Sequence, residues 1–248
     1  MRKLFLLLLL LTLMLNIGVS DAMVPKSILQ RVIFIRHGSS TGTGFTIEVD
    51  GRQYLITARH LLPVSGVIST VDIFINGVWK AVKAQSIPVL PETADIGVLV
   101  APQLLTPIWN IHIDKDYFLS QDVYFLGFPY GIVIDGTKAN NGAPFPLVKR
   151  AIISAFDGDG INQRILLDGI NNPGFSGGPV VGVGADRIPE IIGVISGYKA
   201  EQQAVRQFGK DTDFSVSTNT GIIVAYPIGI ALDAIKQTPI GFPIPMMK

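Results

Sequence analysis

Asn171-Asn172-Pro173-Gly174-Phe175-Ser176-Gly177-Gly178-Pro179-Val180-Val181 sets one serine among three glycines and then runs into apolar residues. Gly174 permits a backbone conformation that a Cβ forbids. That freedom lets consecutive N–H groups turn toward one point beside the serine hydroxyl. Such an arrangement is an oxyanion hole, usually the largest single contribution to acyl transfer. Gly177 and Gly178 are expected to leave room for a substrate backbone above the next strand. Alone, a Gly-Pro cluster marks only a turn between strands. The reading therefore depends on whether the rest of the chain supplies partners for Ser176.

A serine nucleophile needs a base, and the base needs an orienting carboxylate. The chain has three histidines, His37, His60 and His112. His60 ends Tyr54-Leu55-Ile56-Thr57-Ala58-Arg59-His60, a strand-like run closing in small residues. Asp95 opens Ala94-Asp95-Ile96-Gly97-Val98-Leu99-Val100, the mouth of a buried strand. Asp72, which also precedes an apolar run, is the rival carboxylate. The order His60, Asp95, Ser176 and the three local motifs resemble the trypsin-like (chymotrypsin-fold) serine peptidases. The cysteine-free bacterial branch, which includes the high-temperature-requirement proteases, is the most similar. Thr57-Ala58-Arg59-His60 resembles that family's Thr-Ala-Ala-His, and Asp95-Ile96-Gly97-Val98-Leu99 its Asp-Ile-Ala-Leu-Leu. The serine stretch resembles Asn-Pro-Gly-Asn-Ser-Gly-Gly-Pro, and Gly127-Phe128-Pro129-Tyr130-Gly131 a Gly-x-Pro-x-Gly turn. Asp72 follows His60 too closely to match.

The resemblance implies an all-β fold of two six-stranded antiparallel β-barrels with the active site in the cleft between them. It implies catalytic His60, Asp95 and Ser176, and an oxyanion hole from the N–H groups of Gly174 and Ser176. Ile170 falls where the base of a specificity pocket is expected, and Ser196-Gly197-Tyr198 on the strand that lines it and pairs with the substrate backbone. An isoleucine offers no countercharge, so small to medium apolar residues are expected at the cleaved bond. The substrate is polypeptide, and no cofactor or metal is implied. Two positions depart from the family pattern. Gly97 replaces a common alanine, and Phe175 replaces the aspartate or asparagine before the serine. Phe175 cannot pair with an ammonium group, so no activating cut beyond signal removal is expected. Its ring is expected to anchor the loop against the second barrel instead.

Composition bounds the alternatives. The 248 residues suffice for one large domain or two small ones with real cores. With 48% hydrophobic and 16% charged residues the chain is not of the disordered class. A net charge of +1 gives no pull toward nucleic acid or acidic lipid. Zero cysteines remove disulfides, thiolate metal sites and cysteine nucleophiles together.

Residues 1–22 read as a secretory signal, with Arg2 and Lys3 ahead of an apolar Leu4 to Leu15 and small residues after it. Secreted or periplasmic placement follows, with no stable membrane anchor after cleavage; an uncleaved anchor is the alternative. Residues 23–116 form an N-terminal half carrying His60 and Asp95, and 117–248 a C-terminal half carrying Ser176. Short β-branched runs punctuated by Gly, Pro, Asp and Ser fill both halves. Asn76-Gly77 is a hairpin signal, Pro102 to Tyr117 a linker, and Ile228 to Lys236 a closing helix. Lys199 to Thr220 is a polar insert, either bordering the cleft or a surface loop. Asp157-Gly158-Asp159-Gly160 fails the spacing of a calcium loop and reads as a turn. Arg36-His37-Gly38 resembles the signature of histidine phosphatases, but no second His-Gly exists. Three functions are thus carried forward: the peptidase, a peptide-binding protein of the same fold with weak or no turnover, and the phosphohydrolase.

Overall fold

The computed structural model describes residues 24–62, 68–113, 116–136, 139–184 and 188–245. The expected signal, residues 1–22, lies outside them. A short helix α1 (Lys26–Leu29) precedes six strands: β1 (Val32–His37), β2 (Ser40–Val49), β3 (Arg52–Thr57), β4 (Ile68–Ile75), β5 (Val78–Ile87) and β6 (Gly97–Val100). They pair antiparallel in the order β3-β2-β1-β4-β5-β6, and β6 returns to β3, so the sheet closes. The β4–β5 turn is Asn76-Gly77 with φ of 53° and 75°, the double positive φ of a type I′ hairpin. The sequence signal there is borne out.

The second sheet contains β7 (His112–Ile113), β8 (Asp122–Gly127), β9 (Leu147–Asp157), β10 (Arg164–Asp168), β11 (Pro179–Val183), β12 (Pro189–Gln207) and β13 (Lys210–Pro227). Six of these close through β11, which pairs with both β8 and β12. Helix α2 (Gly229–Gln237) follows, as its apolar spacing predicts, and buries Ile230, Ala231, Ala234 and Ile235. The Asp157–Gly160 stretch is the turn between β9 and β10, with Gly158 at φ 83°.

Two short strands cross the expected division at 116/117. β7 pairs parallel with β12 of the second sheet, and β14 (Phe242–Pro243) returns to β3 of the first. Neither has the length to show as a hydrophobic period. A shared core joins the barrels: Phe34, Phe45 and Ile56 from the first barrel with Leu126, Phe128 and Val181 from the second, and with the apolar face of α2. Burying both inner faces on one cluster fixes the cleft between the barrels.

Lys199 to Thr220 is neither an irregular loop nor a disordered insert. It is a two-stranded ribbon, the outer parts of β12 and β13, joined at Phe208-Gly209 with φ of 49° and 79°. None of its residues is buried. Alternating Val, Ser and Thr favour the extended form, while the polar majority hid the strands from a hydrophobic reading.

Candidate active site

His60 sits in a single 3-10 turn (Arg59–Leu61) just after β3, and Asp95 two residues before β6. β3 and β6 are neighbours in register, with Thr57 opposite Gly97, so the two side chains emerge at the same edge of the first barrel. Asp95 Oδ1 accepts the His60 backbone N–H at 2.9 Å, and Oδ2 accepts from His60 Nδ1 at 2.7 Å. The carboxylate thus holds the proton on Nδ1 and leaves Nε2 as the basic nitrogen. Ser196 Oγ donates to the same Oδ2 at 2.6 Å. A bulge between Ile195 and Gly197 makes this contact, because it takes Ser196 out of the β12–β13 ladder.

These bonds set the electrostatics. The hydrogen bond to Asp95 is the largest influence on His60 and raises its pKa above 6.5, over the opposing effect of burial. Burial alone would raise Asp95, but the hydrogen bonds from His60 and Ser196 outweigh it and lower its pKa. Arg59 holds the segment that carries Asp95: its guanidinium donates to the carbonyls of Val89 at 2.6 Å and Ile96 at 3.4 Å. The rival Asp72 is engaged elsewhere, paired with Arg36 at 2.7 Å. Arg36 also lies over the Trp79 ring, 4.5 Å from its centroid, so the arginine of the Arg-His-Gly stretch serves the barrel wall.

Ser176 lies in the loop between β10 and β11. Its hydroxyl donates to the Ser196 carbonyl at 2.8 Å, not to His60. Ser196 therefore touches both Ser176 and Asp95. The loop's backbone can be accounted for group by group. The carbonyl of Ile170 accepts from Lys149 Nζ, and that of Asn171 from Asn219 Nδ2 at 2.6 Å. Asn172 O accepts from Phe175 N at 3.3 Å and Pro173 O from Tyr130 N at 2.8 Å. Gly174 O accepts from Thr43 Oγ1 at 2.7 Å, Phe175 O from Gly178 N at 2.8 Å and Ser176 O from Thr43 N at 2.9 Å. Every carbonyl from 170 to 176 is taken. Between Gly174 and Gly178 the N–H groups of 175, 177 and 178 are also taken. Those of Gly174 and Ser176 have no acceptor among the described residues. Gly174 has φ 108°, and a Cβ there would meet Phe128 O at 2.3 Å.

Phe175 is fully buried with Val123, Ile153 and Val180, edge-on to Phe125 at 4.8 Å. The expected apolar anchor is present. One expectation is corrected. Gly177 and Gly178 do not clear space for a substrate backbone; a Cβ at Gly177 would strike Thr43 O of β2 at 2.1 Å and one at Gly178 Leu126 O of β8 at 2.0 Å, so the protein's own strands demand both glycines.

Of the residues expected to bind substrate, Gly197 has open space beside it and Tyr198 is 36% exposed. Ile170 is 61% exposed, on the lip of the loop and not beneath an enclosed floor. Thr43, Tyr130, Lys149 and Asn219 went unrecognised in the sequence. Each works by satisfying a backbone carbonyl, and many residue types can do that; only the glycines flanking Thr43 hinted at a close approach. Among the described residues no cluster of three or more His, Asp or Glu is assembled that would hold a metal ion.

The family described as "Trypsin-like peptidase domain" matches residues 42–187, a span that holds His60, Asp95 and Ser176. No curated protein matches. Among solved structures, the Mycobacterium tuberculosis protease Rv3671c in an inactive form is similar, with 18% identity, TM-score 0.56, and coverage of 88% of this chain and 93% of that one. The HtrA-type protease AlgW with a tripeptide has 21% identity and TM-score 0.58, covering 90% and 64%. A serine endoprotease from Yersinia pestis has 18% identity and TM-score 0.58, covering 90% and 67%. The chain thus spans about two thirds of the last two. At these identities the likeness establishes the chymotrypsin-like fold.

Proposed function

The chain belongs to the trypsin-like peptidase family, a family of serine proteases, and from that premise we propose that Ser176, His60 and Asp95 cleave peptide bonds through an acyl-enzyme. The observation that carries the proposal is the backbone accounting of the serine loop: all carbonyls are tied back, and two N–H groups beside the hydroxyl are left without acceptors.

For attack, Ser176 Oγ leaves the Ser196 carbonyl and turns toward His60. Oγ then attacks the peptide carbonyl carbon while Nε2 takes its proton. The carbonyl oxygen becomes an oxyanion held by the N–H groups of Gly174 and Ser176. Asp95 stabilises the imidazolium and keeps the proton on Nδ1. Collapse breaks the C–N bond; His60 gives its proton to the leaving amine. Water then attacks the acyl ester, His60 takes the water proton and returns it to Ser176.

The substrate is an extended polypeptide that pairs with β12 at Ser196, Gly197 and Tyr198. The preferred side chain at the cleaved bond is uncharged, because Ile170 supplies no countercharge and the ammonium of Lys149 at its carbonyl repels a cation. Arg2, Lys3 and the apolar Leu4 to Leu15 support export to a secreted or periplasmic location.

The test is a fluorophosphonate probe with mass-spectrometric mapping, followed by a peptide-library profile. Wild type is expected to label at Ser176 and to cleave after small to medium apolar residues. Ser176→Ala is expected to lose both labelling and turnover with the melting temperature almost unchanged. Labelling elsewhere, or full turnover in the variant, overturns the assignment.

A further inference from the structure

Among the described residues the serine loop has one charged contact, and it comes from β9. Lys149 Nζ donates to the Ile170 carbonyl and to Asn172 Oδ1 at 3.2 Å. It also stands 5.8 Å from the ring centroid of Phe175 and 5.9 Å from that of Phe125, within cation–π range. Among the described residues no carboxylate pairs with it. A lysine serving only solubility keeps its ammonium in water and its stem on the surface. This one spends its ammonium on two oxygens of a single three-residue segment and on the aromatic anchor of the same loop.

The segment needs such a tie. Residues 169–178 belong to no strand or helix. At one end β10 stops at Asp168; at the other Phe175 is locked in the core. Between them Ile170 is 61% exposed and contributes little to packing, so polar bonds must fix this stretch. The neighbouring ties are neutral: Asn219 at Asn171 O, Tyr130 N at Pro173 O, Thr43 at Gly174 O. Asn172 is also held from its amide side, where Nδ2 donates to Tyr130 Oη at 3.2 Å. A hydrogen bond from a cation is about twice as strong as a neutral one. The Lys149 contacts are therefore the strongest in the set, and they act directly upstream of the Pro173–Gly174 peptide.

We propose that Lys149 is a positioning residue of the active site, whose ammonium holds residues 170–172 so that the Gly174 N–H stays free for the oxyanion. The inference rests on the peptidase reading of Ser176. Burial lowers the pKa of Lys149, in keeping with an ammonium drawn against the loop. An ordered hole matters in the transition state more than in the ground state, so Lys149 belongs to kcat and not to KM.

Lys149→Met keeps the stem and removes the charge and the donors. Relative to wild type it is expected to lose on the order of tenfold to a hundredfold in kcat, the effect of one charged hydrogen bond. KM is expected to stay close to wild type. A peptide boronate, which mimics the tetrahedral state, is expected to lose affinity by a similar factor, while a product peptide keeps its own. Lys149→Arg, which retains the cation, is expected to recover much of kcat. Melting temperatures recorded alongside separate folding from chemistry. Unchanged kcat in folded Lys149→Met overturns the proposal, as does a rise in KM at constant kcat, or an Arg variant no better than Met. A wild-type protein that neither labels nor turns over overturns the peptidase reading and this inference together; the variant outcomes touch this inference alone.

Discussion

Asp95 is the residue on which the electrostatics of the site turn. Its two oxygens accept three hydrogen bonds, from the His60 ring, the His60 amide and the Ser196 hydroxyl. In Asp95→Asn one of those oxygens becomes an NH₂ group. A donor facing Nδ1 drives the ring proton to Nε2, and the base can no longer accept from Ser176. Turnover at neutral pH is expected to fall by about four orders of magnitude, the size of this change in a related triad. The pH profile carries the same signature. Only neutral His60 accepts a proton, and its bond to Asp95 raises its pKa above 6.5. The acid limb of kcat/KM in the wild type is therefore expected above pH 6.5, with activity lost as pH falls through it. A limb at or below 6.5 contradicts this electrostatic picture. His60, Asp95 and Ser176 were readable in the sequence because the chemistry tolerates few substitutes for them. Lys149 and Thr43 were not, because a carbonyl accepts from any donor that reaches it.

At the level of elements, the β-strands of the two barrels follow from short apolar runs and turn residues. What escaped was structure without hydrophobic burial: β7 and β14 are two residues each, and the β12–β13 arm leaves the barrel entirely. The arm survives as a ribbon because Lys199, Glu201, Arg206, Lys210, Asp211 and Asp213 charge its flanks, which discourages edge pairing between molecules. Its inner end matters more than its tip. Asn219 Nδ2 holds the Asn171 carbonyl, whereas the outer residues touch no core. Gln202 lies opposite Ser217, so a two-residue Asn-Gly turn can close the ribbon there and remove residues 203–216. The shortened protein is expected to keep its melting temperature, since surface changes away from packed features cost little. Turnover of a short fluorogenic peptide is expected to match wild type, because Asn219 remains. A drop in either calorimetric stability or short-peptide turnover assigns the outer arm a structural part that its exposure does not suggest.

The molecule as a whole brings the site together from both barrels. Thr43 of β2 accepts from Phe128 N at 3.1 Å and donates to Gly174 O at 2.7 Å, so one hydroxyl of the first barrel sets two backbone groups of the second. The shared core, which includes Phe128, packs the two barrels against each other. Among the described residues, the contacts that hold the loop come from internal positions of the chain. The position before Ser176, acidic in relatives that recruit a cut N-terminal amine, is Phe175, buried against Phe125. The cation at the loop is Lys149, which is internal to the chain. The N-terminal end of the described chain is occupied elsewhere: Ile28 of α1 is buried in the shared core, Val24 and Leu29 pack against it, and Gln30 Nε2 donates to Ala139 O at 3.2 Å. Turnover is therefore expected to be independent of where the chain starts ahead of Val24. Proteins beginning at Asp21, at Met23, and at Met23 behind a short Gly-Ser extension are expected to share one kcat and one rate of fluorophosphonate labelling. Activity that emerges only on trimming to a new amine would show that an ammonium group from the terminus completes the loop, and that Phe175 and Lys149 do not suffice to hold it.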